Sequence, residues 1–470
     1  MTRDLSQLVK AYDVRGTVPD QIDVDVVWAL GAAFAEVIAE AEGASAVVVG
    51  HDMRPSSPEL VRALAAGITA RGIDVITIGL ASTDGLYYAS GALGLPGAMF
   101  TASHNPAQYN GIKLCRAGAR PVGQDSGLAE IRDIAQRHLD EGRSGFDRAP
   151  GSVTERDVLA DYAGFLRELV DLSAIRPLTV VVDAANGMGG LTVPAVLGTG
   201  AGLPALPLSI EEMYFELDGT FPNREANPLD PKNLVDLQAA VREHGADIGI
   251  AFDGDADRCF VVDEHGDPVS PSAITAMIAA REVAKEVAAG RSAGDVAIVH
   301  NAITSAAVPE IIAESGARPV RTRVGHSFVK ATMSEHEAVF GGEHSAHYYF
   351  RDFWFADTGM LAAMHVLAAL GETDQPLSTV MAPYDRYPAS GEINSTVDDV
   401  PAAYTRVVEA FAGRGEFDEL DGLTVTAPDG AWWFSVRPSN TEPLLRLNAE
   451  AEQESTMTAI RDEVLALIRG

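Results

Sequence analysis

The chain has 470 residues, a length typical of roughly two to four domains. Asp and Glu number 67 against 35 Lys and Arg, so the formal net charge is −32 at pH 7. This acidity argues against a duplex-DNA or anionic-membrane partner, because either would require a dense basic surface. Hydrophobic residues make up 47% of the chain, which is ordinary for a globular protein with several cores.

The two cysteines, Cys115 and Cys259, are far apart in sequence, so neither a disulfide framework nor a cysteine-based zinc site is indicated. The N-terminal segment MTRDLSQLVKAYD lacks the apolar core of a signal peptide. No uninterrupted apolar run approaches the length of a membrane-spanning helix. We therefore expect a cytoplasmic protein with no membrane partner and no nucleic-acid partner.

In chain order, four apolar β-branched runs bounded by turn residues predict buried strands of a parallel sheet. They occupy residues 46–52, 178–187, 247–254 and 296–302. The first, second and fourth lead into helical patterns, which occupy residues 56–68, 191–198 and 305–315. The repeated strand–turn–helix opening indicates three related α/β units in series.

The last hundred or so residues differ in character. GETDQPLS, at 371–378, is typical of a linker. Alternating strands around the PDG turn at 428–430 and an amphipathic pattern near 453–468 predict an α+β domain with an antiparallel sheet. The charged segment 137–157, which lacks structure signals, is the expected first domain boundary.

Near the N-terminus, KAYDVRGTVP at 10–19 places Arg15 before a glycine turn. A connection between a helix and a strand explains this segment equally well.

Ser103 lies between small residues in TASHNPAQYNGIKL, at 101–114, where the following His-Asn-Pro sequence favours a turn with an exposed hydroxyl. Such a serine is a candidate nucleophile or phosphate carrier, and Lys113 could neutralise phosphate charge or move a proton. A Ser–His–acid hydrolase is disfavoured because no GxSxG elbow is present, and adjacent Ser103 and His104 do not by themselves form a nucleophile–base pair. An ordinary polar turn is the alternative interpretation.

DGDADR follows a predicted strand and carries Asp253, Asp255 and Asp257 at alternate positions. On a tight loop these carboxylates can turn toward one point, which suits a hard cation such as Mg²⁺. A calcium loop of the helix–loop–helix type is excluded, because Arg258 occupies the sixth position, where that loop requires glycine, and because both flanks are predicted strands. A solvated hairpin turn is the alternative.

Two later segments carry polar side chains suited to a sugar phosphate. GGEHSAHYYF, at 341–350, contains Glu343 and Ser345, which could hydrogen-bond sugar hydroxyls, and His347, which could act as an acid or base. RPSNTEPLLRL, at 437–447, offers a guanidinium for bidentate phosphate contact followed by short polar donors. The candidate phosphate-binding residues there are Arg437, Ser439, Asn440 and Thr441.

Taken in this order, the five motifs resemble those of the phosphohexomutases, the α-D-phosphohexose mutase superfamily, over nearly the full chain. The Glu–x–Ser–x–His sugar loop and NPLDPKNL, at 227–234, resemble the phosphomannomutases and the dual phosphomannomutase/phosphoglucomutases. Ala346 stands where many relatives have glycine, which leaves Glu343, Ser345 and His347 in place. A glucosamine-phosphate mutase is a poorer match in the sugar loop.

The resemblance implies three α/β domains of common topology and a smaller C-terminal α+β domain around a central cleft. The expected domains, each with its loop, are 1–155 with the phosphoserine loop, 156–264 with the metal loop, 265–373 with the sugar-binding loop and 374–470 with the phosphate-binding loop.

The resemblance also implies a mechanism that interconverts mannose 1-phosphate and mannose 6-phosphate, with glucose phosphates as further substrates. Phosphate carried on Ser103 would be transferred to the sugar, giving a 1,6-bisphosphate intermediate that turns around before Ser103 recovers a phosphate. Mg²⁺ would be held by phospho-Ser103 and the three aspartates, and a hexose 1,6-bisphosphate would act as activator. Arg437, Ser439, Asn440 and Thr441 would hold the existing phosphate.

Within that mechanism, Lys113, Arg15 and His347 are the candidates for acid and base, and Arg258 is expected to orient the phosphoserine. In GHSFVK, His326 and Lys330 fit further sugar-phosphate contacts. We expect a monomer or a homodimer. A Mg²⁺-dependent phosphatase and a non-catalytic sugar-phosphate sensor are the alternative functions.

Overall fold

The computed structural model describes residues 4–10, 12–142, 148–438 and 444–470. The described residues form two compact units. Unit 1 comprises the described parts of Met1–Val269 together with Ser345–Val380, and unit 2 comprises those of Ser270–His344 together with Met381–Gly470.

The N-terminal part of unit 1 is a mixed sheet with helices packed against it. Its strands are β1 (Val14–Thr17), β2 (Ala46–His51), β3 (Asp74–Leu80), β4 (Gly97–Phe100), β5 (Tyr109–Arg116), β6 (Arg120–Pro121) and β7 (Val153–Glu155). Its helices are α1 (Val24–Phe34), α2 (Ser57–Ala70), α3 (Thr83–Leu93) and α4 (Leu128–Glu141), followed by α5 (Leu159–Leu169). The strand order is β1-β5-β4-β2-β3-β7, with β6 paired to β5.

The apolar run of β2 is buried between parallel neighbours β3 and β4, whereas β5 runs antiparallel to both β4 and β1. The core on one side of this sheet is formed by α1, α2 and α4, with Trp28, Leu64 and Ile131 among its members. Helix α3 begins after Ser82, whose hydroxyl caps the helix by accepting the backbone N–H of Gly85. This arrangement brings the ends of β2 and β4 to one edge of the sheet.

A second sheet in unit 1 carries the Asp-rich motif. Its strands are β8 (Leu178–Asp183), β9 (Leu208–Met213), β10 (Ile248–Phe252), β11 (Cys259–Val262) and β12 (Pro268–Val269), in the order β12-β11-β10-β8-β9. Helices α6 (Gly189–Val196) and α7 (Val235–His244) belong to the same part of the chain. Strand β10 is parallel to β8 but forms an antiparallel hairpin with β11, and DGDADR is the loop of that hairpin.

Unit 2 begins with a parallel α/β segment. It contains α8 (Pro271–Ala288), β13 (Ala297–Asn301), α9 (Ala307–Glu314), β14 (Arg318–Thr322), α10 (His326–Glu335) and β15 (Phe340–Gly342). Strand β13 pairs in parallel with both β14 and β15. The chain then returns to unit 1 with the antiparallel pair β16 (Tyr348–Phe350) and β17 (Ala356–Asp357), followed by α11 (Gly359–Gly371) and α12 (Leu377–Met381).

The C-terminal part of unit 2 is an antiparallel sheet with two helices. It contains β18 (Ile393–Thr396), α13 (Val400–Phe411), β19 (Glu416–Asp418), β20 (Leu423–Thr426), β21 (Trp432–Pro438), β22 (Leu444–Ala451) and α14 (Glu454–Arg469), with strand order β18-β22-β21-β20-β19. Phe411, Phe434 and Val464 lie in its core. The predicted α/β units and C-terminal α+β domain are thus confirmed.

Three details differ from the sequence expectations. The sheets of unit 1 are mixed and not purely parallel, because hairpins add antiparallel strands to parallel centres. The segment 137–157, expected to lack structure, contains the end of α4 and the whole of β7, although 143–147 lie outside the described residues. The linker prediction at 371–378 overlaps the start of α12.

Both cysteines are free and buried, and burial raises the pKa of the Cys259 thiol far above its ordinary value. None of the helices in the described part of the chain combines the length and apolar composition that a membrane crossing requires.

Candidate active site

Three buried carboxylates meet in the loop between β10 and β11. The apolar run of β10 drives that strand into the core, and the antiparallel return through β11 makes the intervening loop tight, with Ala256 at a positive φ of 60°. The side chains of Asp253, Asp255 and Asp257 are inaccessible to solvent. Each offers an oxygen within 4.8 Å of the oxygens of the other two.

This oxygen set fits a magnesium ion. Oδ1 of Asp255 and Oδ1 of Asp257 are buried atoms with no hydrogen-bond partner, which is costly for a carboxylate unless a cation is bound. Carboxylate oxygens are the donors that Mg²⁺ prefers. The chemistry of the three aspartates therefore agrees with the cation expected from the sequence.

Ser103 faces the same carboxylates from the loop after β4. Its hydroxyl donates a hydrogen bond of 2.9 Å to Oδ2 of Asp253, and its backbone N–H donates to the hydroxyl of Thr101 at 2.8 Å. The residue is only 5% exposed, so the expectation of a hydroxyl exposed at a loop tip is wrong. The loop folds inward, which places the serine oxygen against the Asp-rich loop.

His104 also lies beside the serine oxygen. Its Nδ1 is 3.2 Å from Oγ of Ser103, a contact that the adjacency of the two residues in the sequence did not establish. Burial, together with the nearby positive charges of Arg258 and Arg15, holds the pKa of His104 well below its ordinary value. The imidazole is therefore neutral at physiological pH.

Three predicted cationic residues surround the serine and the aspartates. Lys113, on β5, donates to Oδ2 of Asp255 at 2.8 Å and to Oδ2 of Asp257 at 2.6 Å. Nε of Arg258 donates to Oδ2 of Asp253 at 3.0 Å. Arg15 lies in β1 rather than before a turn, and its guanidinium contacts the side chain of Asn105 in the serine loop.

Burial and charge separate the pKa values of these groups. Burial raises the pKa of Asp253 to about 7, against the opposing effect of Arg258. Burial also disfavours the charged forms of Asp255 and Lys113, but their mutual attraction outweighs it, so the pKa of Asp255 is lowered and that of Lys113 is raised well above its ordinary value. Lys113 therefore remains an ammonium near neutral pH.

His347 approaches the Asp-rich loop from the segment before β16. Its Nδ1 lies 3.0 Å from Oδ2 of Asp357 and 3.9 Å from Oδ1 of Asp257. Burial lowers the pKa of this histidine, but the two carboxylates outweigh burial and raise it above the ordinary value. Ser345, two positions earlier, is half-buried and also belongs to unit 1.

The other predicted sugar contacts belong to unit 2. The carboxylate of Glu343, buried after β15, accepts from the amide of Asn301 at 3.1 Å and from the backbone N–H of Gly325 at 2.9 Å. His326 is the first residue of α10, and Lys330 is a buried residue one turn later.

Arg437 lies near the end of β21 in unit 2. Its Nη1 is 3.5 Å from Oδ2 of Asp421, and its Nη2 is 3.6 Å from Oε2 of Glu392. The other predicted members of the phosphate-binding loop, Ser439, Asn440 and Thr441, lie outside the described residues.

Sequence reasoning missed several residues that contact this site. The hydroxyl of Thr83, at the start of α3, donates to Oδ2 of Asp255 at 2.6 Å. Asp357 contacts His347, and Arg54 contacts the backbone of the serine loop. Thr83 and Arg54 each follow a strand whose carboxyl end meets that of β4 at one edge of the sheet, a pairing that no single segment of the sequence shows.

The arrangement in unit 1 suits phosphoryl transfer at a serine. A hydroxyl lies beside a candidate cation site, and a lysine and an arginine are placed to balance the charge of a phosphoryl group.

Sequence models of the phosphoglucomutase/phosphomannomutase domains match most of the chain. The alpha/beta/alpha domains I, II and III match residues 6–141, 160–266 and 271–387, and the C-terminal domain matches 392–467.

Similar proteins cover nearly the same length. The chain is 39% identical over 465 residues to the phosphohexose mutases of Xanthomonas campestris pv. campestris, which covers 98% of this chain and 99% of that relative. It is 36% identical over 465 residues to the phosphomannomutase of Escherichia coli K12, covering 97% of each. A crystal structure of a phosphoglucomutase/phosphomannomutase family protein from Burkholderia thailandensis superposes with a TM-score of 0.85 at 30% identity, covering 98% of this chain and 97% of that one.

Proposed function

The chain belongs to the phosphoglucomutase/phosphomannomutase family and is a sugar-phosphate mutase, and on that premise we propose that it interconverts mannose 1-phosphate and mannose 6-phosphate. Glucose phosphates are proposed as further substrates. The 2.9 Å contact between Oγ of Ser103 and the buried carboxylate of Asp253 is the observation on which the proposal chiefly depends, because it joins a phosphate-carrying serine to a cation site.

In the proposed first step, phosphate on Ser103 is transferred to the 6-hydroxyl of mannose 1-phosphate. The bond between phosphorus and Oγ of Ser103 breaks while a bond between phosphorus and the sugar oxygen forms. The hydroxyl proton leaves the sugar, and Ser103 regains a proton on Oγ. The product is a hexose 1,6-bisphosphate, and the reverse transfer from the 1-position regenerates the phosphoserine.

Asp253, Asp255 and Asp257 are the residues proposed to hold Mg²⁺ together with phospho-Ser103. When bound, Mg²⁺ neutralises charge on the phosphoryl group as it passes between oxygens. Lys113, fixed by two of these aspartates, adds a permanent positive charge beside the reacting group. Arg258, bound to Asp253, is proposed to orient the phosphoserine.

Of the three candidates for the acid and base, His347 fits best. Its Nδ1 is engaged by Asp357, which leaves Nε2 to exchange a proton with the sugar hydroxyl. Lys113 is held as an ammonium by its carboxylate neighbours, so it cannot accept a proton near neutral pH. Arg15 carries a guanidinium, which stays charged, and is proposed to contact the phosphate.

The sugar and its second phosphate are proposed to bind residues from the later motifs. Glu343 and Ser345 would hold ring hydroxyls, His326 and Lys330 would supply further contacts, and Arg437 with the residues that follow it would bind the phosphate that is not being transferred. One phosphate site serves both orientations of the bisphosphate, so that it can reorient between the two transfers. A free hexose 1,6-bisphosphate would activate the enzyme by phosphorylating Ser103.

We propose that each of four domains contributes one of these loops, with the boundaries expected from the sequence. A phosphatase would use the same serine and cation but pass the phosphate to water. A sensor would bind hexose phosphates without transfer, yet it would have no need of a serine hydrogen-bonded to a cation site.

The decisive experiment follows mannose 1-phosphate to mannose 6-phosphate with Mg²⁺ and a trace of glucose 1,6-bisphosphate, while inorganic phosphate is measured in parallel. Conversion without release of phosphate is expected. A Ser103→Ala variant should lose at least ~10³-fold in turnover, whereas Ser173→Ala, a control at an exposed serine, should retain it.

Each other outcome contradicts the proposal. Stoichiometric phosphate release would show a phosphatase, and neither product would favour a sensor or a different sugar. Repeating the assay with glucose 1-phosphate tests the dual specificity, since a ratio of kcat/KM values above ~10³ in favour of mannose would exclude it.

A further inference from the structure

The side chain of Arg54 is completely buried beneath the serine loop. The residue follows β2 by three positions, and its Nε contacts the carboxylate of Asp52 at 3.2 Å. The side chains of both partners are inaccessible to solvent. A buried guanidinium must have nearly all of its N–H donors hydrogen-bonded. The acceptors of these bonds therefore show which part of the chain the Arg54 side chain holds in place.

The two terminal nitrogens of the guanidinium donate only to backbone carbonyls between Ser103 and Tyr109. Nη1 donates to Pro106 and Tyr109, each at 2.8 Å, and Nη2 donates to Ser103 at 3.0 Å and to Asn105 at 2.8 Å. One planar group thereby binds four carbonyls within the seven residues that carry the proposed phosphate-accepting serine. The ammonium of a lysine has three donors and no planar fork, and could not reproduce this set.

Among these four carbonyls, that of Ser103 belongs to the residue proposed to carry the phosphate. Ser103 has a φ of 47°, in the left-handed region that costs a non-glycine residue free energy unless its surroundings enforce it. On one side its carbonyl accepts from Arg54. On the other side lies Gly254 of the Asp-rich loop, where a Cβ atom would be only 2.5 Å from the same oxygen.

Arg54 also packs against the segment that connects β9 with α7 in unit 1. The ring of Phe221 lies over the guanidinium, with its centroid 5.2 Å from Cζ. Gly219 packs so closely that a Cβ atom there would lie 2.6 Å from the Cα of Arg54. The backbone and the guanidinium of Arg54 are therefore both packed against this segment, which supports the position of the serine loop that the guanidinium binds.

We propose that Arg54 is a positioning residue for phosphoryl transfer, which holds Ser103 at the angle and distance from Asp253 that both transfer steps require. The inference rests on the proposed function of Ser103. The side-chain hydrogen bonds of Arg54 go to Asp52 and to backbone carbonyls and not to Oγ of Ser103, so its effect passes through the backbone of the serine loop. Its loss should therefore slow transfer to and from Ser103 while leaving sugar binding nearly intact, because an error of about 1 Å at a reacting group costs on the order of 10²-fold in rate.

The test compares Arg54→Lys with Arg167→Lys. Arg167 offers a matched control, because its guanidinium also donates to three backbone carbonyls of unit 1, those of Val196, Pro204 and Gly198. For both variants and the wild type, kcat and KM are measured for mannose 1-phosphate, together with the thermal midpoint. Labelled glucose 1,6-bisphosphate gives the rate at which Ser103 is phosphorylated.

We expect Arg54→Lys to lower kcat and the rate of Ser103 phosphorylation by about 10²-fold, with KM changed by less than about 3-fold. Arg167→Lys should keep both rates within about 2-fold of the wild type, whatever its effect on the thermal midpoint. If the two variants lose activity in the same proportion as they lose stability, Arg54 is only structural and the inference is wrong. A large rise in KM at unchanged kcat would also overturn it.

Asp52→Asn provides a second variant if Arg54→Lys does not fold. It keeps the shape of the side chain but removes the negative charge that faces Nε of Arg54. The guanidinium should then hold the serine loop less firmly, and kcat should fall by about 10-fold with KM unchanged. An unchanged kcat would overturn the inference. A wild-type enzyme that is never phosphorylated on Ser103 would overturn the proposed function, and this inference with it. An active wild type alongside a fully active Asp52→Asn would overturn the inference alone.

Discussion

The hydroxyl of Ser103 donates to the carboxylate of Asp253 across 2.9 Å, although the two residues are 150 positions apart in the chain. The serine follows β4 of the first sheet and the aspartate follows β10 of the second, so the contact joins two sheets of unit 1. Both side chains are buried. A phosphate group on the serine would therefore lie among ligands suited to a divalent cation.

Removing one of the proposed cation ligands should weaken both metal binding and turnover. Asp255→Asn removes one of the two carboxylate charges that pair with Lys113 and replaces a carboxylate oxygen by an NH2 group, which cannot bind a cation. We therefore expect the Mg²⁺ concentration for half-maximal activity to rise at least ~10-fold and kcat to fall at least ~10²-fold. A Mg²⁺ titration of activity measures both. Asp171→Asn, at an exposed loop position, is the control. A variant that saturates at the wild-type Mg²⁺ concentration would contradict the assignment.

The hydroxyl of Thr83 should matter through the carboxylate it orients. Thr83→Val removes the 2.6 Å hydrogen bond to Asp255 while keeping the shape of the side chain, and we expect about a 10-fold rise in the Mg²⁺ requirement. Thr83→Ser keeps a hydroxyl and should largely restore the wild-type value. Thr69→Val is the matched control, since its hydroxyl donates only to carbonyls of its own helix. Equal behaviour of Thr83→Val and Thr69→Val would show that Thr83 does not act through the site.

A methyl group at Gly254 should displace the serine loop. The added Cβ would lie 2.5 Å from the carbonyl oxygen of Ser103. Because that oxygen belongs to the backbone and the methyl group is fixed to the Cα of residue 254, one of the two loops must move. We expect kcat to fall by about 10- to 100-fold with the fold intact. Gly164→Ala is the control, because that glycine lies in α5 with no atom within 4 Å of the new methyl, and it should raise stability by about 0.5–1 kcal/mol. A fully active Gly254→Ala would refute the close approach of the loops.

Unit 2 should lose stability in mild acid because of a buried histidine. Burial lowers the pKa of His300 to about 4, from an ordinary value near 6.5. The unfolded chain then binds a proton on this residue before the folded chain does, so its contribution to stability is full above about pH 6.5 and falls as the pH drops toward 4. At pH 5 the expected loss from this residue is roughly 2 kcal/mol.

Unfolding midpoints at pH 7.5 and pH 5 measure this loss. His300→Asn retains a polar side chain near the hydroxyl of Thr304 but does not titrate, so its pH dependence should be smaller than that of the wild type by about 2 kcal/mol. His265→Asn, at an exposed position, should behave like the wild type. The assignment fails if His300→Asn and His265→Asn lose the same stability on acidification.

The parts of the fold and site that the sequence predicts are those encoded within short segments. The apolar runs of β2, β8, β10 and β13 identify buried strands because a parallel centre needs no polar alternation. The alternate spacing of the aspartates after β10 indicates their convergence for a similar local reason. The resemblance to a family rests on the order of the motifs along the chain, and it assigns each motif a role that no single segment indicates by itself.

What could not be predicted depends on contacts between distant segments. In the sequence, Ser82 and Thr83 have the pattern of an ordinary helix cap, and Ser82 does cap α3. Nothing in this segment alone shows that the hydroxyl of Thr83 reaches Asp255. The burial of Ser103 was missed because its turn-forming neighbours favour exposure. That preference is overridden by Arg54, which satisfies the carbonyls that an exposed loop would present to water.

The burial of both native thiols has a practical consequence for labelling. Cys115 and Cys259 are the only cysteines of the chain, and both are buried, which keeps their sulfur atoms away from an alkylating reagent in solution. A cysteine introduced at an exposed position would therefore be the one that reacts with a maleimide dye under native conditions. The wild-type sequence can thus serve directly as the background for site-specific fluorophores, without first replacing two core residues and repairing the packing they leave behind.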